Sequence, residues 1–292
     1  MPSLTSQVCP PGQPDNDDHI KNIKNDEANK YCPDENPLLE FAGERWWINY
    51  HWSQETGTYA DEPFKSTFDP MIIEQPQPGG PITLWIQPPG NNADTWRTSE
   101  LVNIADAQYG RHLLTARADG GSFSTLDPNA VFGFYLYQYS CAPLPNNLDN
   151  NLHREIDMIE VLGAPNAQFT LQPWDHQPTP WKQLKLPDGC QYITVVNDWW
   201  WNTDASPPHI SCVFMLFIGD YSLSNLPPIE EAFASWEPYP ESDFQKLIPV
   251  ITDTSCARVH INLWLMHGQA PSGPQSVTLT RFQYHPISNS GE

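Results

Sequence analysis

The segment His153-Arg-Glu-Ile-Asp-Met-Ile-Glu-Val-Leu-Gly163 sets three carboxylates inside an otherwise apolar run. Successive side chains on a β-strand point to opposite faces. Glu155 and Asp157 therefore share one face, and Ile156 and Met158 the other. Beyond Met158 both series change phase together: the apolar positions become Ile159 and Val161, and the acidic one becomes Glu160. One extra residue, a β-bulge near Met158 and Ile159, restores register and sends all three acids out of one face. Only Leu162 then falls on the acidic side. A helix accounts for the segment less well, because at about 100° per residue Glu155 and Glu160 stand roughly 140° apart.

Working outward, short apolar or alternating runs recur between turn signals at 45–51, 82–87, 99–105, 112–118, 131–139, 167–172, 192–196, 211–218, 258–265 and 276–284. Strands at such spacing predict an all-β sandwich or barrel. The chain holds 31 prolines in 292 residues, about twice the usual share of roughly 5%, and proline is kept out of helix interiors and central strands. Residues 1–38 are rich in Pro, Asn, Asp and Lys without apolar periodicity and read as an extended N-terminal arm. Residues 39–292 read as one β-domain, with a short helix expected around 229–235.

A formal charge of −21 argues against nucleic acid or an anionic membrane surface as partner, since both reward clustered Lys and Arg. No stretch approaches the roughly 18 apolar residues that span a bilayer, and the first twenty residues lack an apolar signal core. The expectation is a secreted or extracellular protein, acting as a monomer, whose signal is not in this chain. The cysteines at 9, 32, 141, 190, 212 and 256 form no C-x-x-C pair, which disfavours a zinc ribbon and leaves both disulfides and free buried thiols open. Nine dispersed histidines show no ligand spacing, so no metal cofactor is expected. A structural calcium is left open, although no D-x-D-x-D-G loop is present.

Glycosidic bond cleavage needs a protonated acid at the leaving oxygen and a second carboxylate, about 5–5.5 Å away in retaining enzymes, a spacing that same-face strand neighbours supply. Here the sequence resembles glycoside hydrolase family 16, the laminarinase-like β-jelly-roll enzymes with an E-[I/L]-D-x-x-E signature, matched by Glu155-Ile-Asp-Met-Ile-Glu160. The segments 96–102, 109–117, 132–136, 261–264 and 277–284 are similar to the family's other strands, in order, over about residues 40–288. The resemblance implies a concanavalin-like jelly roll in which Glu155 is the nucleophile, Glu160 the general acid and base, and Asp157 the residue that tunes Glu155. Two departures stand out: Phe132-Gly-Phe-Tyr-Leu replaces the usual Trp-Pro, and Gln172, followed by Trp174 and His176, replaces a histidine on the next strand.

Sugar rings lay apolar C–H faces against indole, so Trp174, Trp181, Trp264 and the 199–201 tryptophan run are candidate subsite walls, with Gln172 and His176 beside them. The expected activity is a retaining endo-glycosidase on a β-1,3- or mixed-linkage β-1,3/1,4-glucan. The alternatives are a galactan hydrolase of agarase type and a non-catalytic carbohydrate-binding jelly roll.

Overall fold

Runs that alternate apolar with polar residues gain most when one face is buried against a second sheet, and the chain resolves itself into two such layers. The computed structural model describes residues 38–49, 66–89, 96–138, 155–172, 180–202, 209–238, 257–266 and 269–287. With strands numbered in chain order, one sheet runs β1 (Leu38–Phe41), β2 (Glu44–Ile48), β5 (Trp96–Asn103), β14 (Ala257–Leu265), β7 (Ala130–Gln138), β8 (Glu155–Leu162), β9 (Asn166–Leu171) and β10 (Trp181–Lys185). Neighbours on this path are antiparallel, and β3 (Ser66–Phe68) adds to it parallel to β5. The second sheet runs β13 (Ala234–Trp236), β12 (His209–Ile218), β11 (Tyr192–Asn202), β6 (Gly110–Ala118), β15 (Gln275–Pro286) and β4 (Ile82–Ile86), antiparallel throughout.

The core lies between the sheets. Phe134 and Trp46 of the first sheet meet Phe282 of the second at ring separations of 6.5 and 5.0 Å, and Phe169 stacks on Phe214 at 5.4 Å. A second apolar layer covers the outside of the six-stranded sheet, where Leu113, Val196, Met215 and Phe217 pack under Tyr221, Leu223 and Leu226. The other outer face, on the nine-stranded sheet, carries polar groups.

The eleven runs read from sequence, the acidic run included, each contain residues of a strand. Four short strands, β1, β3, β10 and β13, lack enough alternation to be read that way. The region expected to hold a short helix forms only a single 3₁₀ turn, Ile229–Glu231, followed directly by β13, because Pro227 and Pro228 before it cannot supply N–H groups to an earlier turn. Cys190 and Cys212 are free and buried; the other four cysteines lie outside the described residues.

His112 is buried among Trp199, Phe282 and Tyr284, and burial lowers its pKa to about 3. The unfolded chain takes up this proton near pH 6.5 and the folded protein does not, so stability is full above that pH and falls as pH drops toward 3, by up to about 1.4 kcal/mol per unit. His112→Leu should therefore gain on the wild type by ~2 kcal/mol between about pH 7 and pH 4.5 in urea unfolding. A gap that stays constant with pH would contradict a buried neutral imidazole.

Candidate active site

β8 pairs with β7 and β9, and both ladders skip at the same place. Opposite β7, Ile159 faces Phe134 and Asp157 faces Tyr135, leaving Met158 without a partner. Opposite β9, Asp157 pairs with Thr170 and Glu160 with Gln168. Met158 is thus the extra residue of the bulge expected from the phase change. Both Met158 and Ile159 are buried in the core, while Glu155 and Glu160 open partly to solvent and Asp157 is 2% exposed. Leu162 is half-exposed on the acidic face, as the alternation requires.

The outer face of the nine-stranded sheet follows from pairing, since residues opposite each other share a side. In the row of Asp157 stand Tyr135, His260, Val102 and Trp47 on one flank, with Thr170 and Trp181 on the other. In the row of Glu160 stand Gly133, Asn262 and Glu100, with Gln168 beyond. Tyr137 and Arg258 continue the row of Glu155, and Trp264 lies one row past Glu160, across Val131 from Leu162. Gly133 leaves space for the neighbouring amide: a Cβ there would sit 2.5 Å from Asn262 Oδ1 and displace that side chain.

Each acid has its own partners. Gln172 Nε2 donates to Asp157 Oδ2 at 2.8 Å, and Gln168 Nε2 donates to Glu160 Oε2 at 3.2 Å. Burial raises the pKa of all three acids. Glu155 rises to about 7, helped by the charges of Glu160 and Glu100 and opposed by a hydrogen bond with Asp157. Glu160 rises to about 8, helped by Asp157 and opposed by Gln168. Asp157 is pushed well above the usual carboxylate range by burial, by the charge of Glu155 and by their shared hydrogen bond, which lowers Glu155 in turn. The proton in that bond therefore sits on Asp157, which donates to the Glu155 carboxylate. Both Glu155 and Glu160 are raised into the neutral range, so near neutrality a carboxylate and a protonated acid stand side by side in the pair.

Of the residues singled out from sequence, Glu155, Asp157, Glu160, Gln172, Trp181 and Trp264 come together on this face. Trp174 and His176 lie outside the described residues. The 199–201 run does not belong to the groove: it extends β11 in the opposite sheet, with Trp199 fully buried in the core and Trp201 packed against it. Sequence reasoning passed over Glu100, Tyr135, Gln168, Thr170, His260 and Asn262. Their signal was the alternation of Arg258, His260, Asn262 and Trp264 with Val259, Ile261, Leu263 and Leu265, a polar series on a strand otherwise apolar. Among the described residues no three His, Cys, Asp or Glu side chains gather as a metal site would require.

A scan of family models and a search of curated proteins each returned no match to this chain. Solved structures do match. A laminarinase from Flavobacterium sp. UMI-01 superposes with a TM-score of 0.55 at 11% identity, covering 82% of this chain and 92% of its own. The β-glucanase of Bacillus licheniformis gives 0.52 at 15% identity, covering 86% and 97%. A β-1,3-1,4-glucanase (lichenase) from a mouse hindgut metagenome gives 0.51 at 17%, covering 83% and 93%. At such identities the likeness is one of fold: the chain has the β-jelly-roll fold of the laminarinases and β-glucanases.

Because the acids hold their protons in the fold up to about pH 7–8 while the unfolded chain ionises near 4.3, the cluster costs stability as pH rises through that window. Glu160→Gln should melt higher than the wild type near pH 7.5, with the gap closing toward about pH 4. Calorimetry showing equal midpoints at both pH values would rule out a raised Glu160.

Proposed function

We propose that this chain is a retaining endo-glycosidase, acting outside the cell as a monomer on a neutral β-glucan with β-1,3 or mixed β-1,3/1,4 linkages. The observation that carries the reading is the bulge at Met158, which brings Glu155, Asp157 and Glu160 to one open face while the core keeps its apolar series. The fold-level neighbours support the substrate class through their own names, laminarinase and β-glucanase.

In this reading Glu155 attacks the anomeric carbon while Glu160 delivers its proton to the leaving oxygen, so the glycosidic bond breaks as an ester forms. Glu160, now a carboxylate, takes a proton from water as that water displaces Glu155, and two inversions leave the configuration unchanged. Asp157 donates to Glu155 throughout and stabilises it as leaving group. Trp181 and Trp264, on the groove face to either side of the acids, supply ring surface for sugars.

A reducing-sugar assay across laminarin, mixed-linkage glucan, agarose and carrageenan should show turnover on the first two, with a pH optimum between about 7 and 8 set by the order of the two ionisations. Release from agarose or carrageenan alone would move the substrate to the galactans, and none from any would leave a binding module. Glu155→Ala with azide and an activated glucoside should yield a glycosyl azide of inverted configuration by proton NMR. Inverted sugar from the wild type would remove Glu155 from the nucleophile's role.

A further inference from the structure

Glu100 is a carboxylate in the middle of β5, 3% exposed, on the same sheet face as the acids. Three groups from three other strands or their ends hold it. The Tyr135 hydroxyl donates to its Oε1 at 2.5 Å, His260 Nδ1 lies 3.1 Å from the same oxygen, and Asn49 Nδ2 donates to Oε2. Tyr135 and His260 are themselves stacked, with rings 4.7 Å apart and 24° from parallel. Tyr135 also stands directly opposite Asp157 across the β7–β8 ladder. A path of neighbours thus runs from a buried carboxylate, through a tyrosine fixed at both its hydroxyl and its ring, to its cross-strand partner Asp157, the residue that hydrogen-bonds Glu155.

Burial alone would raise the pKa of Glu100, yet His260, Tyr135 and Asn49 together bring it down to about 2. Its partners thus favour the ionised form, and its charge is one of the causes that raise Glu155. The sulfur-free, amide-lined flank of β9 offers no such charge: Gln168, Thr170 and Gln172 do not titrate.

We propose that Glu100 is a positioning residue of the nucleophile: a negative charge on the sheet face of the acids, locked by His260, Tyr135 and Asn49, that fixes Tyr135 in the place opposite Asp157 and acts on Glu155 through these neighbours. The proposal rests on the reading of Glu155 as nucleophile. Glu100 is too deeply buried to meet a glucan, so it acts through its neighbours. Among the described residues, the titratable and charged groups facing this part of the groove are Glu155, Asp157 and Glu160 on β8, Tyr135 and Tyr137 on β7, His260 and Arg258 on β14, and Glu100 itself on β5.

The test is the pH profile of kcat/KM on laminarin or mixed-linkage glucan, whichever the wild type cleaves. Glu100→Gln removes the charge and should shift the acidic limb down by about 0.5–1 pH unit, as a like charge acting through the protein interior requires, with the basic limb in place. Glu100→Asp keeps the charge and should leave the acidic limb where it was. Tyr135→Phe loses the hydroxyl but not the charge, and should lower kcat several-fold with both limbs fixed. An acidic limb unmoved in Glu100→Gln, or moved equally in Glu100→Asp, overturns the proposal. Where Glu100→Gln does not fold, carbon-13 carboxyl titration of the wild type decides: Glu100 should stay ionised down to about pH 3 while Glu155 titrates near neutrality, and a Glu100 that protonates above about pH 4 sinks the idea. That titration needs no substrate, so it stands apart from failure of the glycosidase reading, which inactivity of the wild type on every polysaccharide would signal.

Discussion

A strand alternates its side chains with a period of two, so the acids at 155, 157 and 160 can share a face only if the chain gains one residue between 157 and 160. Met158 is that residue, and the rest of the site depends on it. The skip appears in both ladders of β8, which means neighbouring strands on both sides accept it. Two consecutive apolar residues, Met158 and Ile159, then enter the core, where the opposite sheet has room for them. Without the bulge either Glu160 or the apolar pair would face the wrong way, and burial of a carboxylate in that core would cost far more than the ladder irregularity.

The gathered acids are a stress that the fold carries. Burial raises all three, the charges of Glu160 on Glu155, of Glu155 on Asp157 and of Asp157 on Glu160 add to it, and the two glutamine donors relieve only part of this. Thr170 Oγ1 and Asn262 Oδ1 are buried on the same face with no hydrogen-bond partner among the described residues, so polar capacity is left over beside the acids. Sites built for reaction commonly hold groups in environments that folding alone would avoid. The six-stranded sheet gathers no such cluster among the described residues, and its outer side is covered by apolar side chains.

Distant segments meet at the groove because strands from late in the chain return to the middle of each sheet. β14 inserts between β5 and β7, and β15 between β6 and β4. His260 and Glu100, 160 residues apart, touch only because of the first insertion. That same insertion sets Asn262 beside Gly133, whose lack of a Cβ lets the two strands carry an amide directly beside Glu160.

Local pattern determined much of this protein by itself. The double phase change in 155–162 was enough to place the bulge and the face of the acids, and alternation marked the long strands, since both depend only on neighbours in the chain. Short strands such as β3 and β13 were invisible, being held by partners rather than by their own residues. The tryptophans show the same limit. Composition drew attention to the tryptophans and local pattern picked out 174, 181, 264 and the 199–201 run, but which sheet each belongs to separated Trp181 and Trp264, on the face of the acids, from Trp199, in the core. The partners of Glu100 were beyond any local reading, because a buried charge is stabilised by whichever strands the topology lays next to it, and the topology of a jelly roll is not written in the spacing of a single run.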